Sequence, residues 1–264
     1  SVTSTEKVSD GGEFILNNNT ATSSDTVVIA VSPDNQPPVV KFGDGSVGDG
    51  SAQVLEDGSV LVPITASLQG NAPQQLSVEV SGIPSTWTIT TGANNGTYNA
   101  STGTWTITLP AGQNYTGPGL TFRPPANSDV DLTGLSIKAT STNTSSGGVK
   151  SSTVAGSVIV DAVADVPSLS VQNASIQEGV AQVKLNISTA VTDTDGSESI
   201  SKVVISGVPS GFALSTGSNL GNGSWELTLA QSKNVSLNVP TNRDVDGVYN
   251  LTVKSFAYDK PTDV

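Results

Sequence analysis

The sequence predicts an all-β protein made of tandem antiparallel β-sandwich repeats in an elongated array. Apolar and polar residues alternate in short runs, as in Val60, Val62 and Ile64, and a period of two is typical of strands with one buried face. Clusters of Gly, Asn, Pro, Ser and Asp separate these runs and favour turns. Similar segments also recur in a fixed order, which indicates that one domain is present more than once.

The alternation extends along most of the chain. No stretch keeps the apolar stripe of an amphipathic helix, so we interpret the whole chain as β. Further strands are predicted at 76–80, 105–109, 183–187 and 225–229.

The composition limits the chemistry that the chain offers. Its 264 residues include 11 Lys and Arg against 23 Asp and Glu, a formal charge of −12, and neither Cys nor His. The negative charge repels nucleic acid and anionic membrane surfaces. Without thiol or imidazole groups, the usual zinc and copper ligands are missing, and oxygen ligands for a hard cation such as Ca²⁺ remain.

Neither a signal peptide nor an apolar run approaching the ~20 residues that span a bilayer is present. We therefore expect a soluble segment of a longer protein, without direct membrane insertion.

Internal repetition sets the expected architecture. The segment SGIPS (81–85) recurs as SGVPS (206–210), TGTWTITL (102–109) as NGSWELTL (222–229), and DVD (129–131) as DVD (244–246). The order is kept while the spacing drifts, as expected when strands are retained and loops change length.

The repeats divide the chain into three parts. VIAV (28–31) before Pro37 resembles VIVD (158–161) before Pro167, so residues 1–36 are expected to be the closing strands of a preceding repeat. Residues 37–166 are expected to form one β-sandwich repeat. Residues 167–264 are expected to form a second, which is either truncated or closed by fewer strands. The linkers at 32–38 and 161–167 combine Pro with Asp, which predicts stiff joints.

The segment DTDGSE (193–198) is the main candidate for a cation site. Asp193, Asp195 and Glu198 alternate around a Gly, so their oxygens can converge from one tight loop, and Ca²⁺ takes about six to eight oxygens. The alternative is a plain polar hairpin loop without an ion. Further ligands are expected from the repeat pattern at Glu178, Asp244 and Asp246.

The middle repeat carries fewer candidate ligands. Its equivalent loop at 69–75 has no carboxylate, although Glu56, Asp129 and Asp131 remain. Asp161 and Asp165 lie where the repeats join, either as ligands of an ion shared with Asp129 and Asp131 or as solvated linker acids.

Two further features leave a binding role open. The loop at 43–51, with Asp44 and Asp49, is either a ligand loop or a flexible turn. Trp87, Trp105 and Trp225 are interpreted mainly as core residues, since large aromatic side chains are usually buried.

The segments 206–229 and 240–255, preceded by DTDGSES, resemble the repeats of giant type I-secreted RTX adhesins of the biofilm or ice-binding type. These repeats are bacterial Ig-like or cadherin-like extender modules. The resemblance implies Greek-key Ig-like sandwiches on an extracellular bacterial cell surface, with Ca²⁺ bound by the acids of both repeats. It also implies a role in cell adhesion or biofilm formation, in which neighbouring repeats project a distal domain towards a host, algal or other cell-surface ligand.

Two alternative functions share some of these sequence features. A calcium-dependent peptide- or sugar-binding module of the adhesin tip shares the same setting, and the middle repeat near Trp87 is where its pocket would lie. An enzyme with paired carboxylates is not expected, because the acids recur near matching strand ends while an active site is usually a single asymmetric constellation.

Overall fold

The computed structural model describes residues 2–5, 20–29, 34–43, 50–92, 96–177, 179–193, 195–241 and 246–260. Within these ranges the chain is nearly all β, with 22 strands and one short helix, and the predicted fold class is confirmed at that level. Of the predicted site residues, Asp44, Asp49, Glu178 and Asp244 lie outside the described ranges. At the N-terminus, β1 (Val2–Thr5) pairs with β2 (Thr20–Ser23) as an antiparallel hairpin.

The described residues of the first unit form eleven strands in three sheets. A six-stranded sheet has the order β4-β13-β12-β7-β10-β9, a three-stranded sheet has the order β5-β11-β8, and β3 pairs with β6. All pairs are antiparallel except β4 with β13, which is parallel. The strands are β3 (Val39–Phe42), β4 (Ser51–Leu55), β5 (Val60–Val62), β6 (Ile64–Ser67), β7 (Gln74–Ser81), β8 (Thr88–Thr91), β9 (Thr97–Asn99), β10 (Thr104–Thr108), β11 (Leu120–Arg123), β12 (Leu132–Asn143) and β13 (Val149–Asp161).

Alternating side chains of these sheets meet in one hydrophobic core. Leu76, Val78 and Val80 on β7 are buried, as the period of two requires for a strand with one inward face. The Trp105 ring is fully buried and lies 5.7 Å from the Tyr115 ring, centroid to centroid. At about 25 cal/mol per Å² of apolar area, such aromatic side chains contribute a large share of the stabilisation of the fold.

The second unit has a smaller core of its own. Its sheets have the orders β19-β20-β17-β22, β15-β21-β18 and β14-β16. The strands are β14 (Ser168–Gln172), β15 (Gln182–Lys184), β16 (Asn186–Ala190), β17 (Glu198–Ser206), β18 (Ala213–Leu214), β19 (Ser218–Gly221), β20 (Ser224–Leu227), β21 (Ser236–Asn238) and β22 (Thr252–Asp259).

The helix α1 (Leu229–Ser232) is a departure from the all-strand prediction. Thr228 caps it with a capping box, in which its hydroxyl accepts from the Gln231 N–H and the Gln231 side chain accepts from the Thr228 N–H. Leu229, predicted in a strand, is therefore helical, and β20 ends at Leu227.

The two units share a three-strand arrangement. Val80 on β7 lies between Trp105 on β10 and Ile137 on β12. Ile205 on β17 lies in the same way between Trp225 on β20 and Val253 on β22. The segments around Trp105 and Trp225 thus occupy matching strands.

The linker after β13 leads directly into the second unit. The Val163 N–H donates to Glu56 of the first unit, and the Asp165 N–H donates to Glu198 of the second. The linker backbone is therefore bound to both units, through Glu56 of the first and Glu198 of the second.

Among the described residues, no helix has the length and apolar character needed to cross a membrane.

Candidate metal centre at the junction of the two units

Three carboxylates from the two units meet at the junction. One oxygen each of Glu56, Asp193 and Asp195 lies within 4.8 Å of the other two. Oxygens bound to one Ca²⁺ ion are at most about 5 Å apart, twice the Ca–O distance of about 2.3–2.6 Å. The three acids therefore have the spacing of ligands to one shared cation.

Glu56 is held by the turn that follows β4. Its N–H donates to the Asp161 carbonyl at 2.9 Å, and the Gly58 N–H donates to the Leu55 carbonyl at 3.0 Å. The side chain is only 5% exposed. Its Oε1 accepts the Val163 N–H at 2.6 Å, while its Oε2 has no hydrogen-bond donor within reach.

Asp193 and Asp195 are ordered by their own loop. Asp193 Oδ1 accepts the Asp195 N–H at 2.9 Å, and Asp195 Oδ1 accepts both the N–H and the hydroxyl of Ser197. Gly196, with φ at 101°, makes the bend that other residues rarely adopt. These bonds use Oδ1 of each aspartate, and Oδ2 takes no part in them.

Two buried acids, Glu198 and Asp259, lie next to these three. Glu198 and Asp259 face each other as register partners on β17 and β22. Glu198 Oε1 accepts the Asp165 N–H at 2.6 Å. Glu198 Oε2 and both Asp259 oxygens are buried without a donor. We call Glu56, Asp193, Asp195, Glu198 and Asp259 the junction cluster.

The crowding of acids changes the proton affinity of Glu56. The pKa of its carboxyl is raised from 4.5 to about 7, and burial is the largest cause. The Val163 N–H opposes this rise in pKa, whereas a proton-sharing contact with Asp259 and the charges of Asp259 and Asp193 add to it. The site therefore disfavours the ionised form of Glu56, and a bound cation would stabilise that form.

The cluster offers carboxylate oxygens that could hold a metal ion. A buried charged oxygen without a partner costs about 1–3 kcal/mol or more, and four such oxygens belong to Glu56, Glu198 and Asp259. In the described part of the chain, the two ion pairs join Lys150 to Asp34 and Lys202 to Glu226, and neither involves a cluster acid. A divalent cation that accepts many oxygen ligands would satisfy these groups.

The other end of the first unit provides a neutral counterpart. Gln74 and Asn143 are register partners on β7 and β12, in the position that Glu198 and Asp259 take on β17 and β22. Both amides are buried, and Asn143 Oδ1 accepts the N–H groups of Ser145 and Ser146. The preceding linker is bound there by the fully buried Asn35, whose Nδ2 donates to Ser141 and Gly148.

The structure groups the predicted ligands differently from the sequence prediction. Glu56 was predicted for a site in the middle repeat, but its carboxylate lies with Asp193 and Asp195. Glu198 lies beside this group, whereas Asp246 is exposed. The Asp259 carboxylate was missed, since only its alignment with buried Asn143 at a strand end could have indicated it.

The other predicted acids, two before β12 and two in the linker, are buried or hydrogen-bonded. Asp131 Oδ1 accepts the Val160 N–H at 2.7 Å, and Asp129 is fully buried. Asp161 Oδ2 accepts from the Gln53 amide, and Asp165 Oδ2 from the Asn127 amide. Sharing of one ion among these four carboxylates stays a prediction.

The tryptophans lie where core residues are expected. Trp105 and Trp87 are buried in the first core, and Trp225 packs partly buried against the second. A cavity of about 350 Å³ lies beside Trp87, but Trp87 is 7% exposed and offers little surface for stacking on a sugar.

Comparison with known proteins does not identify the function of this site. No protein family model matches the sequence, and no curated protein matches it.

Proposed function

We propose that this chain is a calcium-stiffened structural segment in which Ig-like β-sandwich repeats are joined by an ion-binding junction. The observation that carries the proposal is the meeting of Glu56 from the first unit with Asp193 and Asp195 from the second. One cation bound there contacts both units at once. The angle between the units then depends on the ion as well as on the linker.

The physical mechanism is a change from repulsion to attraction. Without a cation, the cluster carboxylates repel each other across the junction and favour separation of the units. With Ca²⁺ bound, the same oxygens become ligands, and the binding free energy adds to the stability of the closed arrangement. A row of such junctions would be stiff outside the cell and loose where Ca²⁺ is scarce.

The biological setting rests on the sequence resemblance. Extender repeats of an RTX-type adhesin on a bacterial cell surface would use this stiffness to project a ligand-binding tip for adhesion or biofilm formation. A peptide- or sugar-binding tip module remains the second reading, with Ca²⁺ as cofactor in both. We propose no enzymatic activity, because the acids form a structural junction between repeats.

The test combines stability with inter-unit distance. Thermal unfolding in chelator, in millimolar Ca²⁺ and in millimolar Mg²⁺ measures ion-specific stabilisation, and a fluorophore pair on the two units reports the angle. We expect a Ca²⁺-specific rise in Tm and a narrower distance distribution, and both are expected to disappear in the Asp193→Asn, Asp195→Asn double variant. Glu79→Gln, an exposed acid on β7, is the matched control.

Two results would count against the proposal. Equal effects of Ca²⁺ and Mg²⁺ would indicate charge screening without a defined site. An unchanged Ca²⁺ response in the double variant would move the site away from the junction cluster.

A further inference from the structure

The cavity beside Trp87 lies between the turn that follows β7 and the segment that leads into β12. Its volume is about 350 Å³, and its apolar wall is formed by Pro84, Trp87, Pro125, Val130 and Leu132. Ligand pockets in proteins usually have volumes of about 300–1,000 Å³. The cavity is at the lower end of this range, which suits a single side chain better than a large ligand.

The second unit contains the same turn with another aromatic residue. The Trp87 N–H donates to the Pro84 carbonyl at 3.1 Å, and the Phe212 N–H donates to the Pro209 carbonyl at 3.0 Å. The turns also share the sequence pattern SGxPS, at 81–85 and at 206–210. Phe212 is therefore the counterpart of Trp87.

Two glycines show how the facing segments correspond. A Cβ on Gly82 would lie 2.7 Å from the Gly134 carbonyl oxygen, and a Cβ on Gly207 would lie 2.7 Å from the Asn250 carbonyl oxygen. Gly82 and Gly207 occupy the same position in the two turns. Asn250 is therefore the counterpart of Gly134.

The second unit fills this place with a ring of its own. The ring of Tyr249, the residue before Asn250, lies 4.9 Å from the Phe212 ring, centroid to centroid, at an angle of 55°. In the first unit Thr133 takes the position of Tyr249 and lines the cavity. The cavity thus corresponds to the space that an aromatic ring occupies in the second unit.

The rim of the cavity is accessible to a partner. Val130 is 59% exposed, and Pro84, Thr86 and Thr133 are exposed as well. Trp87 is 7% exposed, so a ring that enters the cavity contacts it at a tilt, as Tyr249 contacts Phe212. Tilted contacts between aromatic rings are favourable without full overlap of their faces.

The polar part of the lining favours a cation beside this ring. Asp131 lines the cavity together with the hydroxyls of Thr86 and Ser128. The described residues that form the cavity include neither Lys nor Arg, and the chain as a whole has a formal charge of −12. Charge complementarity therefore selects a positively charged partner.

We infer that this cavity binds the aromatic side chain of a cationic peptide segment from a partner protein. The ring takes the place that Tyr249 has in the second unit, and basic residues on either side of the ring approach Asp131. A buried aromatic anchor of this kind supplies a large share of the binding free energy of a small interface. The cavity uses none of the acids of the junction cluster, so the inference goes beyond the proposed metal centre.

NMR titration of the full chain with a short peptide tests the site. The probe is a capped tripeptide with tyrosine between two lysines, and one matched peptide has alanine in place of the tyrosine while another has glutamates in place of the lysines. We expect the Trp87 indole N–H signal to shift with the probe. The Kd should be at least about tenfold higher for the alanine peptide, because the ring supplies the buried apolar area, and higher for the glutamate peptide as well.

A variant that fills the cavity from within provides the second test. Thr133→Tyr copies the arrangement of Tyr249 and is expected to raise the Kd of the probe at least about tenfold, since the added ring occupies the site. Thr106→Tyr, at an exposed position on β10, is the matched control and should leave the Kd unchanged. Thermal unfolding verifies that both variants are folded.

Three results would overturn the inference: no binding of the probe at millimolar concentration, equal affinity for the tyrosine and alanine peptides, or undiminished binding by folded Thr133→Tyr. Titration in chelator and in Ca²⁺ distinguishes these results from a failure of the metal centre, because the cavity and the junction cluster have no residue in common.

Discussion

Glu56 and Glu198 bind the same linker at positions two residues apart. Glu56 Oε1 accepts the Val163 N–H and Glu198 Oε1 accepts the Asp165 N–H, both at 2.6 Å. One glutamate belongs to the first unit and the other to the second, so the linker is fixed from both sides. The second oxygen of each glutamate is buried without a donor. The junction therefore combines a hydrogen-bonded linker backbone with carboxylate oxygens that have no hydrogen-bond partner.

Neutralising Glu198 and Asp259 should convert the junction between the two units to the neutral type seen at Gln74 and Asn143. The double variant Glu198→Gln, Asp259→Asn is expected to gain about 1–3 kcal/mol of stability in chelator, because buried oxygens lose their charge. It should also lose most of its response to Ca²⁺. Chemical denaturation with and without Ca²⁺ measures both effects. Loss of stability in chelator would show that these acids are already satisfied by other groups.

The pH dependence in chelator should depend on Glu56. Its pKa is about 7 in the folded chain and 4.5 as the ordinary value, so the folded state binds the extra proton between these values. Stability is then greatest below about pH 4.5 for this group and falls as pH rises through 7, by an amount on the order of 3 kcal/mol. Calorimetry of the parent and of Glu56→Gln from pH 5 to 8 checks this. If the two chains have parallel pH profiles, Glu56 is not the group responsible.

The neutral junction at the start of the first unit should be stable without any ion. Asn35→Ala removes the amide that donates to the Ser141 carbonyl at 2.8 Å and to the Gly148 carbonyl at 3.0 Å. A loss of about 1–3 kcal/mol is expected, since each of the lost hydrogen bonds contributes about 0.5–1.5 kcal/mol. The loss should be the same in Ca²⁺ and in chelator. Asn173→Ala, at an exposed position, is the control, and a Ca²⁺-dependent loss in Asn35→Ala would contradict the distinction between the two junction types.

Much of the fold was accessible from the sequence because strands leave a local pattern. The alternation at Val60, Val62 and Ile64 predicted strand structure there, and β5 and β6 contain these residues. The one-turn helix at Leu229 was missed, since a capping box of Thr228 and Gln231 is a short signal beside a longer alternating run.

The candidate site was predicted in its chemistry and only partly in its composition. The absence of Cys and His and the excess of acids determined that a bound metal would be a hard cation with oxygen ligands. The DTDGSE segment named two of the three acids whose oxygens lie within 4.8 Å of one another. Which acid completes the group was decided by tertiary structure. Glu56 is far away in sequence and belongs to the other unit, and it lies near Asp193 where the linker is held between Glu56 and Glu198. Local sequence patterns indicate which face of a strand is buried and where turns lie. They do not indicate which ends of two units meet, since that depends on contacts between distant parts of the chain.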